Sequence, residues 1–219
     1  MRVKRLWSDE NFWIFKKLAL NLSKRQFKLK VYTTHQTHHL KKHLEDLKTK
    51  DVMKFERSNL VEKITEVLIE SEKQLSDLDL NFFFNYEIFP KNIMIFETQW
   101  NDENRKMQVN DTIVQQAFLP PVPSFSQKVI FGVRISEIID ETNRKGFSYE
   151  TLEGHVEKGV STFTVEQADD KIKFKIHTFS KPGNLLTKIV GPIISVPYQA
   201  YCTRQALENV KKRIETQAA

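Results

Sequence analysis

The residues best placed to do chemistry form one cluster, Tyr149-Glu-Thr-Leu-Glu-Gly-His-Val-Glu157. Glu150, Glu153, His155 and Glu157 bring three carboxylates and one imidazole together in a short span. Such a set offers general acid–base chemistry, with His155 tuned by a neighbouring carboxylate and His155 or Glu157 acting as the base. The plainer reading is a connection between strands. Gly154 and Gly159 would permit unusual backbone angles there, and His155 would hydrogen-bond the backbone and orient the connection. Direct ligand contact by His155 and Glu157 lies between these two readings, and no residue is assigned as catalytic.

His35, His38, His39 and His43 make a second cluster. On a helix, His35, His39 and His43 would stack at i, i+4, i+8, and adjacent pairs could chelate a transition metal. Lys41 and Lys42 oppose a bound cation, so surface histidines beside lysines are the favoured reading and no metal or cofactor is expected. Ser148 and Ser180 lack the context of an activated nucleophile. Cys202 falls on an apolar helical stripe and reads as a small buried hydrophobe. His177 alternates onto a lysine face and should be exposed. The chain shows no phosphate-cradling glycine loop, HExxH or acidic calcium loop.

Aromatic residues are the other resource. Sixteen phenylalanines predict an aromatic-rich core or an apolar cavity. The expected cavity lining is Phe131, Phe147, Tyr149, Phe163 and Phe174, with His155 and Glu157 as its polar members. The run Asn81-Phe-Phe-Phe-Asn-Tyr-Glu-Ile-Phe89 is read as core, with a pocket mouth as the alternative.

These side chains need elements to position them. Helical character is expected over residues 8–47, with a break near Lys28–Thr34, and again from Asn59 to Leu78, where Leu60, Ile64, Val67, Leu68 and Leu75 recur at helical spacing. Beyond residue 80 the period falls towards two. Strands are predicted over 92–98, 107–118, 128–139, 146–152, 159–167 and 171–180, with a hairpin turn at Ala168-Asp-Asp170. Leu119-Pro-Pro-Val-Pro-Ser124 reads as an ordered loop. A last helix begins after Pro182-Gly183, is interrupted at Pro192 and Pro197, and continues to about Thr216 with Tyr198, Cys202, Ala206, Val210 and Ile214 on its apolar stripe. The fold class is α+β: an antiparallel sheet gripping a long C-terminal helix, with a helical N-terminal extension.

Charge divides the chain differently. Residues 1–50 hold 13 Lys/Arg against 4 Asp/Glu, whereas the other 169 hold 21 against 24. Two parts are therefore expected, a basic helical extension over 1–50 and a helix-grip-like domain over 51–219. The extension reads as solvated, with weak contact to a membrane surface or nucleic acid as the alternative. Phe12 to Leu22 is interrupted by Lys16 and Lys17 and does not read as a secretory signal or a span. The single cysteine suits a reducing compartment, so a cytoplasmic location is expected.

Gly146-Phe-Ser-Tyr-Glu-Thr-Leu-Glu-Gly-His-Val-Glu-Lys-Gly159, followed by Phe163, Val165 and Glu166, resembles the pattern GFxYGTLxGHxExGEExFxVE of the domain-of-unknown-function family 1990. The likeness continues through Phe174, Ile176 and Phe179-Ser-Lys-Pro182, then Gly191-Pro192 and Gln199, and covers about residues 55–215. Glu150 departs from the pattern's glycine and Val160-Ser161 from its glutamate pair. The spacing from Pro192 to Gln199 is about one residue too long. The resemblance implies a fold like the START and Bet v 1 helix-grip domains, which hold apolar ligands between a curved sheet and the terminal helix. The leading expectation is a non-catalytic binding domain for a small hydrophobic ligand. The alternatives are an enzyme on a small hydrophobic substrate, using His155 or Glu157, and an interaction protein that uses the basic N-terminus.

Overall fold

Alternating apolar and polar side chains bury one face of a strand and wet the other, so they favour antiparallel pairing with cover on one side. The computed structural model describes residues 30–119, 127–182 and 185–218. In chain order its elements are β1 (Lys30–Tyr32), α1 (Leu40–Lys48), β2 (Val61–Glu70), α2 (Asn81–Phe84), β3 (Met94–Thr98), α3 (Gln99–Asp102), β4 (Thr112–Leu119), β5 (Gln127–Glu141), β6 (Arg144–Thr151), β7 (Glu157–Ala168), β8 (Lys171–Pro182) and α4 (Leu185–Ala218). Short 3-10 turns occur at Thr37–His39, Arg57–Asn59 and Leu75–Asp77. The strands form one antiparallel sheet in the order β2-β8-β7-β6-β5-β4-β3, and β1 pairs with β5 off this path. Six of these strands, β3 to β8, fall where alternation predicts them.

The inner face carries α4. At about 1.5 Å rise per residue this helix is roughly 50 Å long. It returns antiparallel to β8, and Cys202, Ala206, Val210 and Ile214 enter the main core with Ile69, Phe147, Phe163, Val165 and Phe174. Its C-terminal part is tied down: Gln217 accepts the Asp79 amide proton at 2.8 Å and donates to the Asp79 carbonyl at 2.9 Å. Pro192 and Pro197 do not interrupt the helix as expected. Each proline lacks one amide donor, and the helix continues past those losses.

The aromatic run at 81–89 lies in the core, between sheet and helix. Phe83 is fully buried, its ring 5.3 Å from Phe147 and 6.0 Å from Phe174. Asn209 of α4 donates to the carbonyls of Glu87 and Ile88, and Arg213 pairs with Glu87 at 2.8 Å.

The outer face carries α1. Leu40, Leu44 and Leu47 pack on Val114, Ile130 and Leu152. Helix and sheet approach closely because β5 has Gly132 there, where a Cβ would lie 2.9 Å from Leu47 Cδ2. Over the described part of the expected 8–47 helix, the helix proper is only α1, and the predicted break is realised as β1 and a 3-10 turn. Residues 1–29, including the apolar run from Phe12, and the proline-rich loop lie outside the described residues.

The helix expected from Asn59 to Leu78 is not there. Val61–Glu70 is an edge strand paired along its whole length with β8. The β-branched residues Val61, Ile64, Thr65, Val67 and Ile69 suit a strand, and β8 supplies the partner that local spacing cannot reveal. Among the described residues no helix is long and apolar enough to cross a membrane.

Candidate functional site

Registration places an unexpected row of polar residues on the inner face. Lys63 of β2 opposes Thr178 of β8, which opposes Ser161 of β7, which opposes Tyr149 of β6. On either side along the same strands the inner face turns in different directions. Towards one end come Ile176, Phe163 and Phe147, and towards the other Ser180, Gly159 and Thr151. The row is thus a boundary between a dry end and a polar end.

Hydrogen bonds connect its members. The Ser161 and Thr178 hydroxyls are 3.1 Å apart, and Tyr149 hydrogen-bonds both Ser161 and Tyr86. Gln115 of β4 donates to the Tyr86 hydroxyl at 2.5 Å. Burial pushes the pKa of both tyrosines up, so both remain neutral hydroxyls at ordinary pH. Tyr86 is held at φ 65°, a left-handed conformation that is costly for a bulky side chain. That backbone is how a residue just after α2 turns its ring into the core.

Glu157 opens β7 on the same face as Ser161 and Tyr149. Burial raises its pKa to about 7, opposed by a hydrogen bond with Ser180 and by the charge of Lys63. Tyr149 senses the Glu157 charge in turn. His155 lies with its Nδ1 2.9 Å from both the amide nitrogen and the carbonyl oxygen of Glu157. Its ring meets Phe131 edge-on at 4.4 Å, and burial pushes its pKa down to about 4. His155 is therefore a neutral ring clamped to the backbone.

The expected site residues divide into groups. Phe147, Phe163 and Phe174 lie in solid core: Phe147 and Phe163 stack at 5.4 Å, and Phe83 covers Phe147 and Phe174. Phe131 sits apart with Ala117, Val129 and Val156. Tyr149 bridges the two ends, 5.4 Å from Phe163 and bonded into the polar row. Sequence reasoning did not find Lys63, Gln115, Ser161 or Thr178, and it weighed Ser180 only as a nucleophile and Tyr86 only within the aromatic run. For Ser161, Thr178 and Ser180 the signal was present, as hydroxyl residues that break the apolar alternation of β7 and β8. Ser161 is also one of the positions that departs from the family pattern.

The histidine cluster does not assemble. His35 rests on Phe118, and His38 and His39 are exposed in a 3-10 turn. His43 is not a surface residue: it is buried in α1 beside Tyr32, because the helix turns that side towards the sheet. Burial, with Lys30 nearby, lowers its pKa. Among the described residues no group of His, Cys, Asp or Glu is arranged to hold a metal ion. Cys202 is buried on the α4 stripe, as expected.

Comparison with known proteins bears on the fold. The family model described as "Domain of unknown function (DUF1990)" matches residues 83–209, more than half of the chain. No curated protein matches the sequence. Among solved structures, hypothetical protein jhp0584 from Helicobacter pylori is similar with a TM-score of 0.50 at 12% identity, covering 78% of this chain and 98% of that chain. The major latex-like protein 151 from Panax ginseng scores 0.49 at 14% identity, covering 70% of this chain and 97% of that chain. Neither likeness extends to function.

Proposed function

Because the chain belongs to the DUF1990 family, whose description names no activity, we propose a function from the site itself: non-catalytic binding of a small hydrophobic ligand. The ligand lies on the inner face at its polar end, with its polar group against Thr178, Ser161 and Tyr149 and with Lys63 at the exposed rim. The observation that carries this reading is the row of polar side chains across four adjacent strands. A face built only to pack a helix would be apolar throughout, since each buried hydroxyl contributes little and costs more when its bonds are imperfect. A few convergent polar groups beside an apolar wall are what an orienting ligand site needs. A reducing, cytoplasmic setting fits the single cysteine.

One observation favours the enzyme reading as a second possibility. A carboxyl with a pKa near 7 is poised for proton transfer, which assigns the acid–base role to Glu157 and leaves His155 as its clamp.

Native mass spectrometry of the purified protein, with extraction of bound material, tests the binding reading. A stoichiometric apolar small molecule is expected, with affinity reduced about tenfold or more when Tyr149→Phe, Ser161→Ala and Thr178→Val are combined. The chain mass alone, together with no saturable uptake of an apolar fluorescent dye, would overturn it.

A further inference from the structure

The groups of the polar row largely satisfy one another, and Glu157 does not share in that satisfaction. Among the described residues its carboxyl takes a hydrogen bond from Ser180, feels the charge of Lys63 and makes no ion pair. A carboxylate has about four acceptor sites, so Ser180 leaves most of its capacity without a hydrogen-bond partner among the described residues. Glu166, on the same strand, shows the contrast, with Lys173 at 2.9 Å, Lys175 at 2.8 Å and Thr164 at 2.8 Å on its oxygens.

A half-satisfied carboxylate beside an apolar wall selects for a donor, and a cationic donor best of all, because a charge-assisted bond is roughly twice as strong as a neutral one. We infer that Glu157 is the recognition group for a protonated amine, so that the ligand class is a small amphipathic amine with an apolar body and one cationic nitrogen. This rests on the binding reading above. Lys63 opposes an ammonium, but it is an exposed residue at the rim of β2, where water weakens its field.

Acidification supplies a supporting signature. Glu157 loses its charge as pH falls through about 7, so amine binding weakens from pH 8 to pH 5.5. Of the other titratable groups facing it, His155 stays neutral above about 4 and Tyr149 titrates above its ordinary value.

Octylamine, octanol and octanoate, equal in chain length and different in head group, provide the test when titrated calorimetrically into the full chain at pH 8. Octylamine is expected to bind about tenfold tighter than octanol, with octanoate weakest. Glu157→Gln removes the amine preference, so that octylamine falls to the affinity this variant shows for octanol, and circular dichroism confirms that the variant is folded. Lys63→Ala strengthens octylamine binding by removing a like charge. Equal affinities for the three probes, or a preference for octanoate, overturn the inference while leaving the binding reading in place. No binding of any probe to the wild-type chain overturns both.

Discussion

Strand β7 carries two glutamates on opposite faces, and the sheet treats them in opposite ways. Glu166 faces outward among Arg144, Lys173 and Lys175. Burial works against its charge, yet the bonds from Lys175, Lys173 and Thr164 hold its pKa down to about 2. Glu157 faces inward with Ser180 for company, and burial raises it to about 7. The same side chain is a structural cross-link in one place and an unspent acceptor in the other. The difference is one of partners, and it separates a polar group that finishes a surface from one that awaits something else.

The most drastic way to disturb this contrast is to part the strands between the two residues. Gly159 lies so close to β8 that a Cβ would sit 1.9 Å from the Phe179 carbonyl oxygen. Gly159→Ala should therefore cost about 4 kcal/mol or more, read as a collapse of the cooperative thermal transition. Next in size is Glu157→Gln. The folded-state pKa of about 7 lies above the ordinary value of 4.5, so the folded protein binds the extra proton and loses stability as pH rises between those values. The variant should abolish that slope and gain about 2 kcal/mol at pH 8, less than the full shift implies because the side chain is only half-buried. Urea titrations at pH 5 and pH 8 measure it. Glu166→Gln should act in the other sense and more weakly, costing about 1 kcal/mol at pH 7 after allowance for solvent screening. Its folded pKa of about 2 lies below the ordinary value, so the contribution is present above about 4.5 and disappears as pH falls towards 2. If the two variants gave slopes of the same sign, the contrast between the faces would be wrong.

The sheet and its helical cover could be read from the sequence because β3 to β8 alternate and the apolar stripe of α4 repeats every four residues. Val61–Glu70 could not, since its apolar residues satisfy helical spacing as well as a strand, and its partner β8 is the last strand in the sequence. The site was readable at Tyr149, His155 and Glu157, which lie together in one segment. The rest of the row was not, because Lys63, Ser161 and Thr178 are neighbours only by registration across strands. Tyr86 joins them through a backbone conformation that its residue type does not announce. Phe147, Phe163 and Phe174 were expected to line a cavity; all three are buried in the main core, and no pattern in the sequence says that Phe83 packs against Phe147 and Phe174.

The strand order also bears on how the molecule is made. From β4 to β8 every strand pairs with its predecessor, so the hairpins can zip in sequence as the chain leaves the ribosome. β2, like the short β1 that waits for β5, is an exception: it emerges early, and Glu70 meets its ion-pair partner Lys171 only 101 residues later. Until then its backbone edge and the apolar side chains Val61, Ile64 and Leu68 have no ladder to join. Glu62, Lys63, Glu66 and Glu70, interspersed along the strand, discourage it from pairing with another nascent copy in the interval. The slow, aggregation-sensitive step in the biogenesis of this protein is therefore the docking of β2 onto the finished meander.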